Sequence, residues 1–264
     1  MKKLLFLLCL LSWSALNAQK TINRPPFIAK ATETIEIAAV YLSDTATVID
    51  VDAKFTPKYW IRIAPATCLV ADNGERYQVR QGVGIELGQE FWMPESGEAT
   101  FSLIFPPLPP SVKSFDFVEG EGERDFNLFG ISLTGKLPKL QLPKGLEKAG
   151  KMTAVALPTP EIKEGTAIIS GRILDYKPSF RMKAELHSAD FLSPYGQKNT
   201  ELELDEVGNF HTEISVSHPS VAYLSVGGSV VSFLLSPGGE TKVTVNLREM
   251  TRASSRLQKD TKAE

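Results

Sequence analysis

Side chains that usually carry catalysis or hold metals are scarce in this chain: three histidines and two cysteines among 264 residues. His187, His211 and His218 could act as metal ligands or a general base, but they fall on separate expected strands or strand ends. They lack the His-x-x-x-His spacing that sets two imidazoles on one helix face, so they read as exposed or hydrogen-bonded histidines. The acidic run Glu119-Gly120-Glu121-Gly122-Glu123-Arg124-Asp125 offers carboxylate oxygens of the kind calcium takes. Its spacing is not that of a calcium loop, and a solvated hairpin loop is expected. Gly82-Val83-Gly84 with Gly88 has its third glycine one residue too late for a dinucleotide fingerprint and sits among strands. Ser229 follows Gly227-Gly228, but Val231 stands where a nucleophile elbow needs glycine.

Cys68 lies between Thr67 and the apolar pair Leu69-Val70, which reads as a small buried hydrophobe. A catalytic thiolate there would need a neighbouring base or cation. Pro106-Pro107-Leu108-Pro109-Pro110 satisfies P-x-x-P and could offer a polyproline helix to an aromatic groove, yet a stiff connection between strands is the simpler reading. Two readings stand for the aromatics Tyr59-Trp60 and Phe91-Trp92: core, which the burial of large rings favours, or a platform on which sugars stack. No catalytic, cofactor-binding or metal residue is therefore expected, and the protein is expected not to be an enzyme.

The N-terminus opens with Lys2-Lys3, an apolar run from Leu4 to Leu11 and a stretch ending at Asn17-Ala18. This is the pattern of a secretory signal peptide, and the run is too short to span a bilayer. Cleavage is expected after Ala18, with Ala15 as the alternative, giving a periplasmic or cell-envelope protein. Cys9 follows Leu8, not the small residue that lipoprotein processing requires. Without the leader, Cys68 is the one remaining thiol, so an internal disulfide and a C-x-x-C redox pair are both excluded for the exported chain.

The elements that position these residues read as strands. Ile35, Ile37 and Ala39 alternate with Thr34, Glu36 and Ala38, and similar runs cover residues 47–55, 60–63, 67–71, 76–80, 99–105, 114–118 and 127–133. Asp72-Asn73-Gly74 and Glu95-Ser96-Gly97 punctuate them as turns. Between residues 136 and 164 the alternation stops, and Pro138, Pro143, Pro158 and Pro160 mix with lysines in an extended linker. Strands resume at 166–174, 182–187, 200–204, 209–216, 221–226, 230–235 and 242–247. From Arg248 onward, Arg248, Arg252, Arg256, Lys259 and Lys262 would form one basic stripe on a helix with little apolar surface to dock. The expected fold is all-β: two antiparallel, Ig-like β-sandwich domains (residues 19–135 and 165–247) joined by the Pro/Lys-rich linker 136–164, with a short C-terminal helix in a basic tail, 248–264.

With 29 basic against 31 acidic side chains the net charge is -2, which gives no electrostatic reason to expect nucleic-acid binding. Composition is that of an ordinary globular protein, 42% hydrophobic and 23% charged.

Several motifs together resemble the N-terminal, non-catalytic β region of exported TlpA-like thiol-disulfide oxidoreductases. In the first half these are Trp60-Ile61-Arg62-Ile63, Gly84-Ile85-Glu86-Leu87-Gly88, Phe91-Trp92-Met93-Pro94-Glu95-Ser96-Gly97, Phe105-Pro106-Pro107-Leu108-Pro109 and Ser114-Phe115-Asp116-Phe117-Val118-Glu119-Gly120. In the second they are Gly208-Asn209-Phe210, His218-Pro219, Ser236-Pro237-Gly238-Gly239-Glu240 and residues 254–260. In that family a thioredoxin-fold domain with C-x-x-C follows and carries the chemistry, and no residue here matches it. The resemblance implies a non-enzymatic accessory or binding module, with a protein of the envelope redox system as partner. The alternatives are an oxidoreductase truncated or split from its catalytic domain, and a carbohydrate-binding module using Trp60 or Trp92. No cofactor is expected.

Overall fold

The computed structural model describes residues 20–122, 125–143, 146, 161–190, 194–227 and 229–258. The expected signal peptide and most of the expected linker lie outside the described residues. The chain divides into two units: residues 1–26, 34–127 and 131–136 form the first, and 27–33, 128–130 and 137–264 the second.

The first half of the chain contributes β1 (Lys20–Asn23), β2 (Ala29–Lys30), β3 (Ile35–Leu42), β4 (Thr47–Lys54), β5 (Trp60–Ile61), β6 (Cys68–Ala71), β7 (Arg76–Gln78), β8 (Gln81–Val83), β9 (Phe91–Trp92), β10 (Glu98–Phe105), β11 (Ser114–Val118) and β12 (Asn127–Ser132). In the first unit one sheet has the order β1-β3-β4-β10-β8, and the strands β11-β6-β7 follow one another in a second. Strand β4 shows why the chain folds this way: Thr47, Ile49, Val51 and Ala53 are buried while Val48, Asp50 and Asp52 are half-buried on the other face. Phe105 of β10 meets Phe117 of β11 edge to face at 6.4 Å, which joins the inner faces of the two sheets into a sandwich. The expected alternation of β3 does not run its full length. A register shift between Ile37 and Ala39 inserts an extra residue, and Glu36, expected outward, is fully buried.

The second half contributes β13 (Gly165–Leu174), β14 (Ala184–Ala189), β15 (Gln197–Glu201), β16 (Asn209–Val216), β17 (Ser220–Val226), β18 (Ser229–Leu235), β19 (Glu240–Asn246) and the helix α1 (Leu247–Ser254). These strands form two sheets, β16-β13-β19 and β15-β14-β17-β18. Ile169, Phe180, Leu186, Phe210, Leu224, Leu235 and Leu247 lie in their shared core. The second unit also includes β2, which pairs with Leu128 and Phe129 of β12, and Phe129 stacks on Phe180 at 4.6 Å. One pairing departs from the antiparallel expectation: β19 runs parallel to β13. The tight turn at Ser236–Gly239, with Gly238 at φ 72, carries the chain from the sheet of β18 to that of β13, where β19 arrives in the same direction as β13.

Helix α1 is shorter than the expected tail and is docked. Its cap Asn246 accepts a hydrogen bond from the Glu249 backbone N–H, and Leu247 and Thr251 are buried. The basic stripe is largely spent inside the second unit. Arg248 donates to the Asp175 carboxylate and the Pro138 carbonyl, Arg252 to Glu249 at 2.6 Å, and Arg256 to the Glu33 carbonyl at 2.7 Å. Residues 259–264 lie outside the described residues.

Candidate functional site

The most distinctive surface lies where β4 and β10 leave their sheet. Past Lys54 the two chain segments stay together: the Phe55 N–H donates to the Gly97 carbonyl at 2.9 Å, the Lys58 N–H to Met93 at 3.2 Å, and the Met93 N–H to Tyr59 at 2.8 Å. Thr56-Pro57-Lys58-Tyr59 makes a turn closed from the Tyr59 N–H to the Thr56 carbonyl, with proline presetting one central position and Lys58 at φ 62 in the other. At Gly97, φ 69, a Cβ would stand 2.6 Å from the Phe55 carbonyl oxygen, so only glycine lets the strands approach. The result is a ribbon in which Trp60 lies directly opposite Trp92 and Ile61 opposite Phe91.

A ribbon with period two can bury only one face. Ile61 and Met93 fill the inner face, each 3% exposed, with Phe91 tilted against Phe101 at 6.2 Å. The outer face therefore presents Trp60, 42% exposed, and Trp92, 61% exposed, beside Tyr59 at 62%. The core reading fails for Tyr59, Trp60 and Trp92 and holds in part for Phe91. The same segments carry two exposed ion pairs, Lys58 to Glu95 at 3.0 Å in the turns next to the ribbon and Lys54 to Glu98 at 2.7 Å where β4 ends and β10 begins. Arg62 and Glu90 occupy the next outward positions on the two strands.

The structure does not bring the other candidates together. Cys68 is buried, 3% exposed, between Gln78 and Val118 on neighbouring strands. His187 shares a hydrogen bond with the Asn199 side chain at 2.9 Å, His211 lies 3.9 Å from Glu213, and His218 lies beside Ser217. Among the described residues, no group of three His, Cys, Asp or Glu side chains is placed to hold a metal ion. Gly82 serves a tight turn, since a Cβ there would lie 2.3 Å from the Ile85 carbonyl oxygen. Ser229 begins β18 opposite Val226. The proline run is sewn down through Leu108, which is buried and whose N–H donates to Thr47 Oγ1 at 3.0 Å.

The acidic run is the expected loop, lying between the neighbouring strands β11 and β12 with Glu121 and Gly122 exposed, but its first carboxylate is turned inward. Glu119 is 8% exposed and its two oxygens accept from the backbone N–H groups of Ala64, at 2.8 Å, and Phe126, at 2.7 Å. Asp125 closes the turn by accepting from the Gly122 N–H at 2.7 Å. Residues 123–124 lie outside the described residues. Burial pushes the Glu119 carboxyl above its ordinary value of 4.5, against the lowering effect of the two N–H donors. A carboxyl that binds its proton more tightly when folded contributes most to stability below 4.5, and that contribution fades as pH rises through the elevated value. Urea unfolding of wild type and Glu119→Gln should therefore show the wild type's advantage largest below 4.5 and smaller at neutral pH. An advantage that grows with pH would contradict this assignment.

No family model matches the chain, and no curated protein matches it.

Proposed function

We propose that this chain is a non-enzymatic, exported binding module of the cell envelope, with the β5–β9 ribbon as its ligand surface. The observation that carries the reading is the pair Trp60 and Trp92, directly opposite on one face and both open to solvent. Large rings held on a hydrogen-bonded ribbon lose little freedom on contact and supply most of the energy of a small interface. In the arrangement implied by the TlpA-like resemblance, such a module accompanies a thioredoxin-fold partner. The burial of Cys68 supports a part other than thiol exchange for this chain.

The purified protein should co-sediment with cell-envelope fragments, and the double variant Trp60→Ala/Trp92→Ala should lose at least about tenfold in affinity, since interface tryptophans commonly carry about 2 kcal/mol or more each. Its unfolding midpoint should stay near wild type because both rings are exposed. Equal sedimentation of the two proteins would defeat the proposal. Export is part of the same reading: N-terminal sequencing of protein from the envelope fraction should begin at Gln19, and a retained Met1 would refute it.

A further inference from the structure

We infer that the ribbon's ligand is a neutral glycan chain, an inference that rests on the ribbon being the binding surface. The segments that carry the aromatic pair hold exposed charges of both signs. Lys58 is paired with Glu95 and Lys54 with Glu98, while Arg62 and Glu90 extend the outer face on the other side of the rings. Counted together these six side chains carry no net charge.

That balance separates the classes of ligand an aromatic patch can take. An acidic glycan or an anionic membrane is held by surplus cations, each contributing about 1 kcal/mol at a charged lipid surface. Here Lys54 and Lys58 already face carboxylates. An uncharged acyl chain or apolar peptide would have to strip water from these flanking ions with no compensating partner. A pyranose ring asks for what the ribbon has: its C–H face packs on an indole, and its rim of hydroxyls both donates and accepts, which suits carboxylates next to ammonium and guanidinium groups.

The outer face is also open at both ends. Trp60 and Trp92 stand on paired two-residue strands about 5 Å apart across the ribbon, so the two indoles side by side offer a face wider than one sugar ring and suit consecutive units of a chain. Binding should strengthen from a monosaccharide to a hexasaccharide.

The test is tryptophan fluorescence titration of the purified protein with neutral hexasaccharides of glucose, xylose, mannose and N-acetylglucosamine. Glucose, hexa-galacturonate and vesicles of phosphatidylcholine or phosphatidylglycerol serve as comparison ligands. The expected result is saturable binding of at least one neutral hexasaccharide, at least tenfold tighter than glucose and at least tenfold weakened in Trp92→Ala. Glu90→Gln/Glu95→Gln, which leaves the rings in place but unbalances the charge, should gain affinity for hexa-galacturonate. Failure of every neutral hexasaccharide, or tighter binding of the uronate or either vesicle by wild type, would overturn the inference. Envelope binding that still depends on Trp60 and Trp92 would then leave the ribbon as the binding surface, whereas loss of that dependence would remove both readings.

Discussion

Gly171→Ala is expected to lower the stability of the second unit by roughly 3 kcal/mol or more, although it adds a single methyl group. Gly171 lies in β13, the central strand of β16-β13-β19, with Phe210 opposite on one side and Val243 on the other. A Cβ there would stand 1.9 Å from the Val243 carbonyl oxygen and 2.7 Å from the edge of the Phe210 ring. The ring could turn, but the carbonyl belongs to the neighbouring backbone. Relief requires β13 and β19 to part, so overpacking is joined by the loss of ladder hydrogen bonds. Gly238→Ala is the control: its φ of 72 strains any side chain, yet nothing lies within 4 Å of the new carbon. That strain costs about 1 kcal/mol. Urea unfolding should rank Gly171→Ala well below Gly238→Ala, and equal midpoints would show that the sheet accommodates the methyl group.

The contrast also shows which parts of this molecule local sequence encodes. Strand β4 was legible because Thr47, Ile49, Val51 and Ala53 alternate with less buried residues over its whole length, as the physics of a half-buried strand demands. Strand β3 was legible only in part, because Glu36 breaks the alternation at its start and the register shift between Ile37 and Ala39 interrupts it further on. That Glu36 is buried depends on packing that its own strand does not encode. The parallel pairing of β19 with β13 was equally hidden, since a strand's alternation is the same whichever way its neighbour runs.

The candidate site was half legible. Residue types picked out Tyr59-Trp60 and Phe91-Trp92, but burial statistics for large rings favoured the core. What decides against the core is competition for one inner face, which Ile61, Met93 and Phe91 occupy. Strands of two residues are too short to show a period, so the sequence names the aromatic residues without saying which of them face out. A usable signal was present in the flanks, where Lys54, Lys58, Arg62, Glu90, Glu95 and Glu98 are all exposed and mark both segments as lying at the surface.

Lys30 gave no signal at all, being one of 29 basic residues in the chain, yet its side chain is 1% exposed. Its ammonium donates to Glu33 at 2.8 Å and to the Ser254 carbonyl at 3.2 Å. Ser254 is the last residue of α1, where carbonyls lack intrahelical donors and the helix dipole is negative, so a buried cation satisfies both needs at once. The Glu33 side chain is 55% exposed, which makes the ion pair itself a minor contributor. The larger effects are the buried stem and the carbonyl that the ammonium serves. Truncation in Lys30→Ala removes three buried methylenes, about 0.8 kcal/mol each, and takes the ammonium from the half-buried Ser254 carbonyl at about 1 kcal/mol or more, for a total of roughly 3–4 kcal/mol. Lys30→Met keeps the stem's bulk and should cost only the second part, about 1 kcal/mol or a little more. Both variants should speed amide exchange in Leu247–Ser254, because each takes away a donor at the helix end. If Lys30→Met matched the wild type in unfolding midpoint and helix protection, the ammonium would be contributing nothing, and the burial of Lys30 would reduce to the packing of its methylenes.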